Sequence, residues 1–133
     1  MDLGIAKRKA IVCASSRGLG RACAQSLARE GVDVVLNGRD EEVLQATAAS
    51  IREEFGVEVQ VVAGSIEAEE TQKALLEACP EPDILINNNG GPPPGRFQDW
   101  DRDTWIAALD ANMLAPVLMI RAVIDGMVER QFG

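Results

Sequence analysis

The sequence predicts an α/β chain: a parallel sheet wound in both directions from its middle, strand order 3-2-1-4, with helices on both faces. Three observations carry this. Short apolar runs recur along the chain, at Ala10 to Ala14, Val32 to Leu36, Val57 to Val61 and Asp83 to Ile86. The segments between them have helical periodicity and helical length, which requires parallel strands joined by right-handed crossovers. A Ser/Gly turn follows the first run, where such sheets bind ligands, at the carboxyl ends of their strands.

The organising stretch is Lys9 to Leu27, KAIVCASSRGLGRACAQSL. The apolar run passes through Ser15 and Ser16 into a helix whose apolar residues Leu19, Ala22, Cys23 and Leu27 share one side. A turn of small residues lets backbone N–H groups approach an anion, and the helix N-terminus adds its positive end. The ligand this predicts is a phosphate or pyrophosphate. A strand-to-helix connection that binds nothing is the plainer alternative, because Ala14 stands where the phosphate-binding fingerprint wants its first glycine.

Gly31 suits the left-handed end of that first helix, and Val32 to Leu36 reads as a buried strand closing at Asn37-Gly38-Arg39-Asp40. Leu44, Ala48, Ile51 and Phe55 line one side of a helix over Glu41 to Phe55, which Gly56 ends. Val57, Val59 and Val61 alternate with Glu58 and Gln60, as in a third strand nearer the sheet edge. Ala68 to Cys79 reads as a helix with an acidic start (Glu67, Glu69, Glu70) and a stop at Pro80. Asp83 to Ile86 is the fourth strand. The apolar residues between Leu114 and Val128 surround their helix, so burial on two sides is expected. Pro116 predicts a break where that helix begins.

A length of 133 residues predicts a single domain, and 47% apolar with 26% charged residues is ordinary for a globular chain. The net charge of −8 argues against nucleic acid, since Lys7 to Lys9 is the only basic cluster. Three cysteines in no metal or redox spacing point to buried thiols in a reducing cytoplasm. The absence of histidine excludes a Ser-His-Asp hydrolase or a histidine-ligated metal within these residues, and no metal is expected. No N-terminal stretch suits a signal peptide. The longest apolar run, Met113 to Ile120, is interrupted by Pro116 and falls short of the ~20 residues of a membrane span.

The end of the second strand decides between dinucleotides. NAD sites place a carboxylate there for the ribose 2′-hydroxyl, whereas a 2′-phosphate prefers arginine. Asn37 and Gly38 are followed by Arg39, and Arg17 lies within reach, so NADP is preferred to NAD. Asp40 complicates this, and its alternative role is the N-cap of the next helix. After the fourth strand come Asn87, Asn88, Asn89 and Gly90, whose amides are expected to tie neighbouring strand ends together.

These residues together resemble the short-chain dehydrogenase/reductase family, over the whole chain. Cys13 to Gly20 (CASSRGLG) looks like its T-G-x-x-x-G-I/L-G turn, Asn87 to Gly90 like its N-N-A-G motif, and Asn112 stands where the family keeps a catalytic asparagine. In style the chain is closest to 3-oxoacyl-[acyl-carrier-protein] reductase-like members. The resemblance implies a Rossmann-type NAD(P)-binding domain over 1–133. It implies cofactor contacts from Ser15, Ser16, Arg17, Gly18, Leu19, Gly20, Asn37, Arg39, Ser65, Ile66, Asn88, Asn89 and Gly90. Of these, Arg39 would meet the 2′-phosphate and Ser65 and Ile66 the adenine, while Asn112 would hold a water in the proton relay. Plainer roles remain for two of them: Ser65 as a helix start, Asn112 as a partner for backbone at the helix break.

The activity implied is NADP-dependent hydride transfer between the cofactor and a small-molecule carbonyl or secondary alcohol, with the alternative of a non-catalytic nucleotide-binding or regulatory module. A methyltransferase of similar topology fits poorly, having no use for Asn87 to Gly90. The chain departs from the family at Ala14, at Ser65, where an aspartate usually binds the adenine amino group, and at Asn89. It contains no tyrosine, and the family's serine, tyrosine and lysine are expected beyond Gly133, so the 133 residues alone are expected to bind nucleotide without catalysis. The resemblance also implies a homodimer or homotetramer through the helix at 114–130.

Overall fold

The computed structural model describes residues 1–133. Four parallel strands, β1 (Lys9–Val12), β2 (Asp33–Gly38), β3 (Val59–Ala63) and β4 (Ile84–Ile86), form one sheet in the order β3-β2-β1-β4. The strand order is the predicted one. The crossovers are α1 (Gly18–Arg29), α2 (Glu41–Phe55) and α3 (Glu69–Ala78), and the chain ends in α4 (Arg102–Leu109) and α5 (Ala115–Arg130).

The alternation of side chains along β1 divides the core in two. Ala10 and Val12 face α1 and α2, packing with Ala24, Ala28, Leu44 and Ile51. Ile11 and Cys13 face α3 and α5, packing with Leu75, Ala115 and Met119. Both sets are fully buried, which is why these strands read as continuous apolar runs. Register follows from them: Ile11 lies beside Val35 on one side and Leu85 on the other.

Several expectations change. β1 spans Lys9–Val12 and not Ala10 to Ala14, and β3 spans Val59–Ala63 and not Val57 to Val61. β2 runs on through Asn37 and Gly38, which pair with Val62 and Ala63 of β3, so the turn begins at Arg39. α3 starts at Glu69, leaving Glu67 on the loop before it. Pro116 does not break the last helix: residues 102–130 are one continuous helix. A proline has no N–H for the carbonyl four residues back. Asp110–Leu114 widens into a π turn instead, in which Ala115 N–H donates to the Asp110 carbonyl. By length and composition the resulting 29 residues also pass for a membrane span, although Ala115 and Met119 dock on the sheet and Val123 is buried.

Candidate nucleotide-binding site

The loops leaving the four strands meet over the carboxyl edge of the sheet and enclose a groove of about 480 Å³. Its walls come from Ser16, Arg17 and Leu19; from Gly38 to Asp40; from Gly64 to Glu67; and from Asn88 to Gly90. These are the four strand ends where a ligand was expected.

The first turn is shaped for an anion. Ala14 has φ 46, the left-handed conformation for which glycine is the cheaper residue, so the missing motif glycine leaves strain and not a different turn. Gly20 allows α1 to lie against this turn: a Cβ there would sit 2.2 Å from the Ala14 carbonyl oxygen. α1 has Arg17 at its N-cap with no side-chain cap bond and no acid in its first turn. By contrast, Asp40 caps α2 through Val43 N–H at 3.1 Å and Asp101 caps α4 through Thr104 N–H at 2.9 Å. The first N–H groups of α1 are therefore available beside the groove, where helix ends favour negative charge.

Two predicted contacts prove to be supports. Ser15 is fully buried, its Oγ donating to the Val12 carbonyl at 2.7 Å and accepting from Asn37 N–H at 3.0 Å. It lies behind the groove because the left-handed Ala14 turns the chain back on β1. Asn37 reaches the groove wall with its amide fully engaged: Oδ1 accepts from Ala14 N–H at 3.1 Å, and Nδ2 donates to the Val62 and Gly64 carbonyls at 3.1 and 3.0 Å. It braces three strand ends. Gly18 and Gly20 likewise shape the turn without lining the groove.

Asn88 ties neighbouring strand ends as the sequence predicts, whereas Asn89 reaches the last helix and Asn87 is exposed. Asn88 Nδ2 donates to the Ala14 carbonyl at 3.1 Å, and Asn89 Nδ2 to the Ala111 carbonyl at 3.2 Å, on the π turn. Asn112 lies outside the groove, in an adjoining cleft of about 510 Å³ under the Gly91 to Pro93 loop. Its amide donates to the Ala108 carbonyl at 3.1 Å and the Gly90 carbonyl at 3.5 Å. Arg39, Glu67, Asn89 and Gly90 line both cavities.

The charges are two of each sign. Arg17 and Asp40 approach to 4.0 Å, both largely exposed, a contact worth little. Arg39 makes no ion pair. Glu67, read from the sequence only as part of an acidic helix start, is a groove residue. Burial pushes its carboxyl up, but hydrogen bonds from Ser65, its own backbone and Asn89, with the nearby Arg39 charge, hold it below the usual range. Thr47, which donates to the Ser16 carbonyl at 2.7 Å, was equally hidden in the sequence, since a threonine on a helix face announces no partner. Burial raises the Cys13 thiol to about 11, against an opposing contact from Asn88, and Cys79 is raised by burial as well; Cys23 is exposed, contrary to expectation.

A parallel α/β sheet of this order, with helices on both faces and a first turn shaped for an anion, is the Rossmann arrangement. Residues 8–133 match the profile of the short chain dehydrogenases, and the chain belongs to that family. It is 34% identical over 134 residues to the uncharacterized oxidoreductase YvaG of Bacillus subtilis, covering all of this chain and 51% of that protein. It is also 34% identical over 131 residues to the human inactive hydroxysteroid dehydrogenase-like protein 1, covering 95% of this chain and 40% of the relative. Among solved structures, L-sorbose reductase from Gluconobacter frateurii, complexed with NADPH and L-sorbose, superposes with a TM-score of 0.91 at 32% identity. The match covers 98% of this chain and 51% of the reductase. The chain thus spans about half the length of these relatives, or less.

Proposed function

We propose that the groove holds NADP(H), and that this chain is the cofactor-binding part of an oxidoreductase acting on a carbonyl or secondary alcohol. The observation that carries this reading is the pairing of an uncapped, acid-free α1 N-terminus with an unpaired guanidinium, Arg39, across one groove. Main-chain donors suit a pyrophosphate, and an arginine at the end of β2 suits a 2′-phosphate where a carboxylate would repel it. The donor set and the close approach at Gly20 fit the dinucleotide. NADPH in the L-sorbose reductase complex supports the same choice.

In this reading Ser16, Arg17 and Leu19 hold the phosphates, Arg39 the 2′-phosphate, and Asn88 to Gly90 the riboses. When bound, the dinucleotide supplies or accepts the hydride. Asn112 sits one cleft away, its amide engaged with the Ala108 carbonyl, and its part in proton transfer depends on groups that these residues do not include, tyrosine among them. Asn37 and Ser15 hold the turn in place.

The test is titration with NADPH and NADH, wild type against Arg39→Ala. A fall of about tenfold or more in NADPH affinity with NADH binding unchanged supports the reading; equal losses contradict it. A second reading, a nucleotide-binding module without catalysis, is favoured by the human relative whose name calls it inactive. NADPH-dependent turnover of ketones by the whole protein separates the two.

A further inference from the structure

The π turn at Asp110–Leu114 leaves the Ala111 carbonyl short of a helical donor. In an α-helix the N–H four residues on, that of Ala115, would serve it, but here that N–H goes to the Asp110 carbonyl. In the widened register the donor would come from five residues on, and Pro116 has no N–H to give. The Asn89 side chain fills the place. Its Nδ2 donates to the Ala111 carbonyl at 3.2 Å and to Glu67 Oε1 at 2.9 Å, and its Oδ1 accepts from Gly90 N–H at 2.8 Å. Both amide hydrogens are thus engaged, and the side chain lines the groove and the adjoining cleft alike.

We propose that Asn89 is a positioning residue for Asn112: its amide stands in for the N–H that Pro116 lacks and ties the π turn to the loop that walls the groove. Asn112 follows Ala111 directly, and its own amide spans the same gap from the other side, donating to the Ala108 carbonyl at 3.1 Å and the Gly90 carbonyl at 3.5 Å. In the N-N-A-G motif that this stretch resembles, alanine stands at the place of Asn89 and offers the turn no donor. Because Asn89 also holds Glu67, a dinucleotide that displaces either side chain shifts Asn112 with it. The tie is made within the chain, whereas its response to a dinucleotide rests on the reading of the groove as an NADP(H) site.

The test is a double-mutant cycle by urea unfolding of the unliganded chain, with Asn89→Ala and Pro116→Ala. Asn89→Ala is expected to lower the folding constant about tenfold in the wild-type background. In the Pro116→Ala background a main-chain N–H is available to the Ala111 carbonyl whether the turn stays wide or tightens, and the same substitution should cost less than about threefold. Equal losses in the two backgrounds overturn the tie. Should Asn89→Ala be unfolded, recovery of folding in the double variant supports the tie and its absence overturns it. The Asn112 side-chain amide resonance reads position: it should move in unliganded Asn89→Ala, and an unmoved resonance overturns the positioning role. With saturating NADPH that resonance should shift in wild type and shift less than half as far in Asn89→Ala; equal shifts overturn the coupling. A wild type that does not bind NADPH removes the dinucleotide reading and the coupling with it, while the cycle still decides the tie.

Discussion

Ala14 carries a methyl group at φ 46 in the tightest part of the phosphate turn. Left-handed backbone costs a non-glycine residue about 1–2 kcal/mol, partly offset by the smaller entropy loss of alanine on folding. Ala14→Gly is therefore expected to stabilise the chain by about 0.5–1 kcal/mol, read as a higher urea midpoint; a lower midpoint contradicts the strain. Asn37→Ala should destabilise by about 2 kcal/mol, because the part-buried Ala14 N–H and the Val62 and Gly64 carbonyls lose the amide that joins them. Glu67 adds a pH dependence. Its folded pKa lies below its ordinary value of 4.5, so its contribution is complete above that value and disappears as pH falls through the folded pKa. Between about pH 6 and about pH 3.5, wild type should lose more stability than Glu67→Gln, and parallel losses would contradict the hydrogen bonds assigned to it. The residue types of this site were legible, their engagement was not. The acceptors of the Asn37 amide stand 25 and 27 positions away, and the Glu67 carboxylate sits two residues before a helix whose acidic start explained it too easily.

At the scale of elements, the contrast between helix starts carries function. α2 and α4 are capped by aspartates and α3, uncapped, has Glu69 and Glu70 in its first turn, while α1 has neither cap nor acid and leaves its first donors to the groove. Arg17→Ser should accordingly give opposite results in two assays. A serine at the N-cap position stabilises the unliganded chain by about 1 kcal/mol, measured by urea unfolding, and removal of the guanidinium weakens NADPH binding about tenfold. A gain in both, or a loss in both, contradicts the division of labour. The strands and crossovers could be read in advance because each buried strand is a run of apolar residues and each crossover has its own periodicity. The continuity of α4 and α5 could not. Whether a proline breaks a helix or widens one turn of it depends on whether the residues before it can pair five apart, as Ala115 and Asp110 do.

For the molecule as a whole, only 28 of 133 residues are buried, few for a chain that is 47% apolar. The deficit is concentrated on the last helix. Leu114, Val117, Leu118, Ile120, Ile124 and Val128 are each 44–68% exposed, on a helix whose other side docks on the sheet. We propose that a second copy of the chain covers this continuous apolar face. Sedimentation should show self-association as concentration rises, and Leu118→Glu should return the chain to a monomer; a monomer at every concentration contradicts a homo-oligomer through this face. In the proposed complex an adenosine phosphate lies over the strand ends, and backbone amide resonances followed during titration with NADPH report where it sits. Saturable shifts gathered in the loops at 16–20, 38–40, 64–67 and 88–90 are the predicted result, and shifts confined to other parts of the chain, or none, would contradict it.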